Sequence, residues 1–393
     1  MNRRDLFKYS SLIGANLFLH PNLLWSNSIL DSTKTNKKFI FSNKNNSEFS
    51  PNIIPDLSSL KARLHWNENP FGPSKSALKE FKNSAKKGNF YSWDIHNEFI
   101  NVISSKEGVN PGNILTGPGS SDLLEKVAIV LLRNGGSVIS ADPCYMSLIN
   151  VAIAINANSH MVKLTPEYEH DLEAMESKIN SETKLIYITN PNNPTGTITD
   201  RKKLYAFCDR VSKRVPVFID EAYIEVSEGG LENSMVKLVA QGKDIIISRT
   251  FSKIYGMAGL RLGYIVAAEK RLEEIRSITR GGMGITGPSI NAAIKSLDDF
   301  DFINSCKENF IFNREFTVSQ LKNRGFNPMP SNTNFLIFEL PNSTSPNLFL
   351  KKMYQQRVSV KAFNFWEKNW CRVSIGTMDD MKTFIDAFDN ALI

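Results

Sequence analysis

The sequence has little of what metal centres and disulfide frameworks require. It contains four cysteines and five histidines in 393 residues. Neither residue type shows the close, repeated spacing that is typical of zinc ligands. The even number of cysteines permits disulfides, but the positions alone pair none of them. We therefore expect no metal site, and we expect free thiols at Cys144, Cys208, Cys306 and Cys371.

The chain also lacks a strong charge bias. Its formal net charge is +7, and no basic stripe with interleaved aromatic residues occurs. Because such stripes are typical of nucleic-acid-binding surfaces, we expect no nucleic-acid partner. Hydrophobic residues make up 41% and charged residues 22% of the chain, which is ordinary for a globular protein. The length suffices for two packed domains.

The start of the chain has the layout of an export signal. Arg3 and Arg4 precede an apolar, uncharged run over residues 12–19. Paired arginines before such a run indicate the twin-arginine route, and the run is too short for a permanent membrane span. We predict a signal peptide over residues 1–28, a flexible linker over residues 29–56 and a periplasmic protein. An amphipathic helix or a misjudged start is the alternative, and the protein would then be cytoplasmic.

Beyond residue 110, short apolar runs alternate with helical patterns. The runs cover residues 137–141, 184–189, 215–219, 245–248 and 263–267. Most are apolar on both faces, which is typical of strands in a parallel sheet covered by helices. After residue 299 a long helical pattern over residues 300–324 leads into three shorter runs, over residues 334–340, 358–362 and 371–375. We predict an α/β chain with a large, mostly parallel-sheet domain over 91–298 and a smaller α+β domain over 299–393, to which the N-terminal segment 57–90 also belongs.

Four short motifs lie at the ends of predicted strands, where open α/β sheets bind ligands. The glycine-rich turn at 116–122 suits a phosphate at a helix start, or is only a serine-capped turn. The segment 190–196 also fits a plain turn, and 218–223 also fits a helix N-cap. In the fourth motif, residues 250–253 and 259–264 place a lysine at a strand end, where it would ordinarily be solvated.

In this order and at these spacings the four motifs resemble those of fold-type I enzymes that use pyridoxal 5'-phosphate (PLP). The chain most closely resembles the histidinol-phosphate aminotransferase family. The resemblance runs from Arg63 to Ile393 and includes residues 67–74 and 371–376. It implies a class I/II aminotransferase with PLP as cofactor, an amino donor and a 2-oxo acid such as 2-oxoglutarate as substrates, and a homodimer with shared active sites.

The resemblance also implies roles for individual residues. Lys253 would carry PLP as a Schiff base and move the substrate proton, Asp220 would pair with the pyridine nitrogen, and Tyr223 would bind the O3' oxygen. The further cofactor contacts implied are Gly119, Ser120, Ser121, Tyr145, Asn193, Thr250, Ser252 and Arg261, with Tyr91 reaching over from the neighbouring subunit. The substrate contacts implied are Arg372, Asn193, Lys361 and Asn69, with Arg372 holding the α-carboxylate.

The substrate-facing residues depart from the family pattern. Lys361 stands where an arginine helps to hold the phosphate of histidinol phosphate, and a lysine offers a point charge in place of a fork. The aromatic residues Phe363, Phe365 and Trp366 follow, and they either line the pocket or pack in the core. The usual tyrosine-containing loop is replaced by the glycine-rich segment 281–287. We therefore expect histidinol phosphate to be a poor donor and a carboxylate-bearing, aromatic amino acid to be a better one.

Two other functions remain open at this point. A PLP-dependent lyase of the threonine-phosphate decarboxylase type would share the cofactor motifs. It would differ by not accumulating pyridoxamine phosphate with a donor alone. A non-catalytic exported protein that binds PLP or an amino acid would not need an acid such as Asp220 to keep the pyridine ring protonated.

Overall fold

The structure is a computed structural model that describes residues 47–49 and 56–392. The predicted signal peptide and most of the predicted linker lie outside the described residues. The helices are α1 Lys75–Ala85, α2 Trp93–Glu107, α3 Ser120–Leu132, α4 Ser147–Ala154, α5 Leu172–Ser177, α6 Arg201–Val211, α7 Val236–Ala240, α8 Glu269–Arg276, α9 Gly287–Leu297, α10 Phe300–Asn323, α11 Pro346–Gln355 and α12 Met378–Leu392. The strands are β1 Ser47–Phe49, β2 Ala62–Arg63, β3 Ile114–Gly117, β4 Ser137–Asp142, β5 Asn158–Lys163, β6 Thr183–Thr189, β7 Val217–Asp220, β8 Ile245–Thr250, β9 Gly263–Val266, β10 Phe335–Leu340, β11 Val358–Ser359, β12 Lys361–Phe365 and β13 Lys368–Ser374.

A seven-stranded sheet lies at the centre, in the order β3-β9-β8-β7-β6-β4-β5. Strand β9 runs antiparallel to both of its neighbours, and the other neighbouring pairs are parallel. Strands β4, β7, β8 and β9 are buried along their whole length, as expected for strands covered on both faces. The predicted α/β class and mostly parallel sheet are therefore confirmed.

A second, antiparallel sheet has the order β1-β12-β13-β10. The apolar run predicted over 358–362 is divided in the structure. Strand β11 pairs in parallel with β2, whereas β12 turns into the four-stranded sheet. Helices α10 and α12 pack against each other within this part of the chain.

The segment 57–90, which the sequence assigns to the smaller domain, contacts both parts of the chain. Strand β2 pairs with β11, and helix α1 packs extensively against α9. The described residues belong to one compact unit, so the predicted division between residues 298 and 299 stays a prediction. It falls between α9 and α10. The four cysteines are buried and free, as expected from the sequence. None of the described helices is long and apolar enough to cross a membrane.

The parallel strands bring polar residues to one edge of the central sheet. Asp142, Thr189, Asp220 and Thr250 are the last residues of β4, β6, β7 and β8. Because the carboxyl ends of parallel strands meet at the same edge, these four residues lie around one cavity.

Candidate active site

A cavity of about 770 Å³ opens at this edge of the sheet and is closed on another side by β12 and β13. Most of the residues predicted from the sequence line it, although they come from distant parts of the chain. The predicted site residues in its wall are Ser120, Ser121, Tyr145, Asn193, Asp220, Tyr223, Thr250, Ser252, Lys253, Arg261, Lys361 and Arg372.

Lys253 follows β8 and reaches into this cavity. Its Nζ donates hydrogen bonds to the backbone oxygens of Trp66, at 3.2 Å, and of Asn67, at 3.0 Å. Burial, aided by the positive charge of Arg372, lowers the pKa of Lys253 to about 8. An amine with a lowered pKa is uncharged, and therefore nucleophilic, over more of the neutral range than an exposed lysine.

Asp220 and Tyr223 line the same cavity. The carboxyl group of Asp220 is buried and accepts a hydrogen bond from the Ala222 N–H at 3.3 Å. Burial raises the pKa of Asp220 to about 6. The Tyr223 hydroxyl accepts a hydrogen bond from Nδ2 of Asn67 at 3.0 Å. A buried carboxylate is stabilised by a cationic partner, and a protonated pyridine nitrogen would be one.

The start of helix α3 forms a cradle for an anion. Gly119 precedes the helix with φ of 95°, and a Cβ there would overlap the guanidinium of Arg261. Arg261 itself has φ of 52°, and its Nη1 donates to the Ala258 oxygen at 2.9 Å. Free N–H groups at a helix start, next to an arginine and several hydroxyl groups, fit a phosphate. The cradle, Lys253 and buried Asp220 together fit the PLP that the resemblance implies.

Arg372 lies on β13, in the cavity wall that β12 and β13 form, and is 7% exposed. Its Nη1 donates to Oδ1 of Asn193 at 2.6 Å, and its Nη2 donates to the His65 oxygen at 3.0 Å. Within the described part of the chain, its Nε has no hydrogen-bond partner. A buried guanidinium with an unused donor is suited to a ligand carboxylate.

Lys361 and Glu48 form an ion pair at the same wall. Burial and the nearby Arg372 lower the pKa of Lys361 to about 8. Glu48 belongs to strand β1, within the predicted linker, and it also lines the cavity. Residues 47–49 of the predicted linker pair with the open edge of β12, and the flexibility of the linker stays a prediction. No local pattern in the sequence indicates this long-range pairing.

Three residues predicted at the site lie outside the cavity lining. Gly119 has no side chain, and this leaves room for the guanidinium of Arg261. Asn69 holds the chain locally, since its Nδ2 donates to the Ile254 oxygen at 2.8 Å and its Oδ1 accepts from the Phe71 N–H at 3.0 Å. It does not line the cavity, and its substrate contact stays a prediction. Tyr91 is 83% exposed and does not belong to the cavity lining.

The aromatic residues after Lys361 divide between the cavity and the core. Phe363 and Phe365 line the cavity, and Phe365 also stacks on Trp370 with ring centres 4.8 Å apart. Trp366 instead stacks on Tyr168 with ring centres 5.2 Å apart and does not line the cavity. Among the cavity residues that sequence reasoning missed, Trp66 had a signal, because it directly precedes the recognised segment 67–74.

Comparisons with known proteins agree with this geometry. The histidinol-phosphate aminotransferase of Moorella thermoacetica is 30% identical, over 84% of this chain and 85% of its own length. That of Bacillus subtilis subsp. natto is 32% identical, over 81% of this chain and 88% of its own length.

Solved structures show the same fold. The crystal structure of histidinol-phosphate aminotransferase from Sinorhizobium meliloti, in complex with PLP, has a TM-score of 0.77 at 24% identity and covers 85% of this chain and 91% of its own. The predicted fold-type I architecture is therefore confirmed. The family described as aminotransferase class I and II matches residues 61–388. This chain belongs to the aminotransferase class I and II family.

Proposed function

We propose that this PLP-dependent aminotransferase takes a carboxylate-bearing L-amino acid as its donor and passes the amino group to a 2-oxo acid such as 2-oxoglutarate. The observation that carries the choice of donor is Arg372. It is buried in the wall of the cavity that holds Lys253, and its Nε is unpartnered among the described residues. A carboxylate could take bidentate hydrogen bonds from this guanidinium.

Several residues of the chain each have a separate role in the reaction. PLP, when bound, supplies an acceptor for the electrons of the substrate α-carbon. Lys253, with its lowered pKa, accepts and returns a proton at Nζ near neutral pH. Asp220 supplies a buried carboxylate that stabilises positive charge in the cavity, and Asn67 holds the Tyr223 hydroxyl in place. Arg372 fixes the donor by its carboxylate, which orients the α-carbon for proton transfer.

The proposal includes a homodimer with shared active sites. Phe90, Tyr91 and Trp93 are 69%, 83% and 50% exposed, which is unusual for three aromatic residues so close in sequence. The glycine-rich segment 281–287 lies beside them, since a Cβ at Gly287 would overlap the Ser92 side chain. Covering this patch with a second copy would remove apolar surface from water and would bring Tyr91 towards a partner's cavity.

Export through the twin-arginine route, inferred from residues outside the described part, is also proposed.

The half-reaction with a donor alone tests the function. Holoenzyme is mixed with phenylalanine and no 2-oxo acid, and the products are separated by chromatography. We expect pyridoxamine phosphate and the 2-oxo acid of phenylalanine in equal amounts, and 2-oxoglutarate should then restore PLP. Release of carbon dioxide would indicate a lyase. No chemical change with any donor in a broad panel would indicate a binding protein and would contradict the proposal.

A further inference from the structure

One wall of the cavity is a small patch of antiparallel sheet with alternating charged and aromatic side chains. Lys361 on β12 lies directly opposite Arg372 on β13. Directly opposed residues of an antiparallel pair project from the same face, so both cations face the cavity that they line. Phe363, two residues beyond Lys361, lies on this face as well.

Strand β1 adds a carboxylate to this wall. Glu48 lies opposite Phe363 in the register of β1 and β12, which makes it a diagonal neighbour of Lys361. Diagonal neighbours are within reach of long side chains, and Glu48 does form an ion pair with Lys361. The lysine side chain is 21% exposed and that of Glu48 44% exposed. The pair therefore sits at the edge of the cavity, where solvent screens it only in part.

The net charge of the wall decides which anion it suits. Arg372 and Lys361 contribute two positive charges and Glu48 one negative charge, which leaves a net charge of one. An amino-acid carboxylate carries one negative charge, whereas a phosphate ester carries about 1.5 to 2 at neutral pH. With Lys361 engaged by Glu48, Arg372 is the cation of this wall that remains to bind the anion of the donor.

Another carboxylate of the cavity lining, that of Glu68, is already paired with a cation. Glu68 lines the cavity, but it forms an ion pair with Arg63 at 2.7 Å. His65, next to Arg372 through its backbone oxygen, has a pKa lowered to about 4 by burial and by Arg63 and so adds no charge at neutral pH. Glu48 is thus the acid that sets the charge around Lys361.

The geometry points to Glu48 as a specificity-determining residue that engages Lys361 and thereby selects donors with a single carboxylate over donors with a phosphate ester. This inference rests on the proposed function, since it concerns the donor site of the same cavity. Glu48 precedes the part of the chain that matches the aminotransferase family, residues 61–388.

The test replaces Glu48 by glutamine, which keeps the shape and removes the charge. We expect Glu48→Gln to raise the ratio of kcat/KM for histidinol phosphate to that for phenylalanine by roughly ten- to a hundredfold, because Lys361 gains a charge-assisted bond to the phosphate. Adding Lys361→Met to Glu48→Gln should return the ratio to near its wild-type value. Glu339→Gln is the matched control, because it breaks the Glu339–Lys368 pair of the same sheet outside the cavity.

A binding measurement separates affinity from turnover. In the Lys253→Ala background, the dissociation constant of histidinol phosphate for the PLP-loaded protein should fall by about tenfold when Glu48→Gln is added. If phenylalanine is transaminated but neither this constant nor the ratio of kcat/KM changes, Glu48 has no such role and the proposed function stands. If no amino acid is transaminated, the proposed function fails, whatever Glu48→Gln does to binding.

Discussion

The amine of Lys253 donates a hydrogen bond of 3.0 Å to the backbone oxygen of Asn67. Asn67 has a left-handed φ of 54°, and its side chain holds the Tyr223 hydroxyl at 3.0 Å. One residue therefore positions both the lysine and the phenol. Asparagine tolerates this backbone conformation better than most residues do, because its short polar side chain bonds locally. Asn67 therefore positions site residues in addition to the strand ends of the central sheet.

The lowered pKa of Lys253 predicts how covalent attachment of PLP depends on pH. The uncharged amine prevails above the pKa, so attachment to apoenzyme should speed up as pH rises, with a midpoint at about 8. Arg372 lowers this pKa through its positive charge, so Arg372→Met should move the midpoint upwards. The measurement is the rate of mass increase at Lys253 after quenching with borohydride. A midpoint above 10 in the wild type would contradict the burial of this amine. The control is Arg324→Met on the surface, which should leave the midpoint unchanged.

The donor preference follows from Arg372 and Lys361. We expect kcat/KM for phenylalanine to exceed that for histidinol phosphate by roughly ten- to a hundredfold, because the second cation of the donor site is engaged by Glu48. Tyrosine, histidine, glutamate and aspartate complete the panel, with 2-oxoglutarate as acceptor. Should histidinol phosphate prove the better donor by tenfold, Lys361 is free to bind phosphate and the charge argument fails.

Arg249 is a buried residue of β8, directly before Thr250 of the cavity lining. It is buried among Glu107, Glu221 and Glu225, with its Nε 3.0 Å from a Glu221 oxygen. Arg249→Met would leave these carboxylates without their shared cation, and we expect the free energy of unfolding to fall by about 3–5 kcal/mol. Chemical denaturation measures the change.

The control for Arg249 is an exposed ion pair. Arg324→Met breaks the surface pair with Asp389 and should cost about 1 kcal/mol or less. Equal losses in the two variants would show that the buried cluster contributes no more than a surface pair does.

The sequence predicted the cofactor side of the cavity better than the substrate side. Asp220 and Lys253 lie in short contiguous motifs at strand ends, where strand direction alone brings them together. Glu48 depends on pairing between β1 and β12, far apart in the chain, and no local pattern specifies such a pairing. Phe363 lines the cavity, whereas Trp366 stacks on Tyr168 outside it. This difference likewise depends on which face of β12 and of the turn after it meets the core.

The paired arginines near the start of the chain predict the route of export. Replacing Arg3 and Arg4 together by lysine keeps the charge but removes the twin-arginine pair. We expect a folded precursor that contains PLP to accumulate in the cytoplasm, because this route carries folded cargo. Cell fractionation followed by the absorbance of bound PLP measures it. Unchanged amounts of the protein in the periplasm would show that the pair does not direct export.

A single-turnover comparison of Lys253→Ala with the wild type tests the assignment of the catalytic lysine most directly. Both proteins are loaded with PLP and mixed with excess phenylalanine, and pyridoxamine phosphate is measured over time. Lys253→Ala should retain PLP noncovalently in the cradle of Gly119 and Arg261 but form product at less than about a thousandth of the wild-type rate, since the proton carrier is lost. Lys243→Ala, which removes a lysine paired with Asp209 on the surface, should match the wild type. Product formation by Lys253→Ala at a tenth of the wild-type rate or more would contradict the role of Lys253.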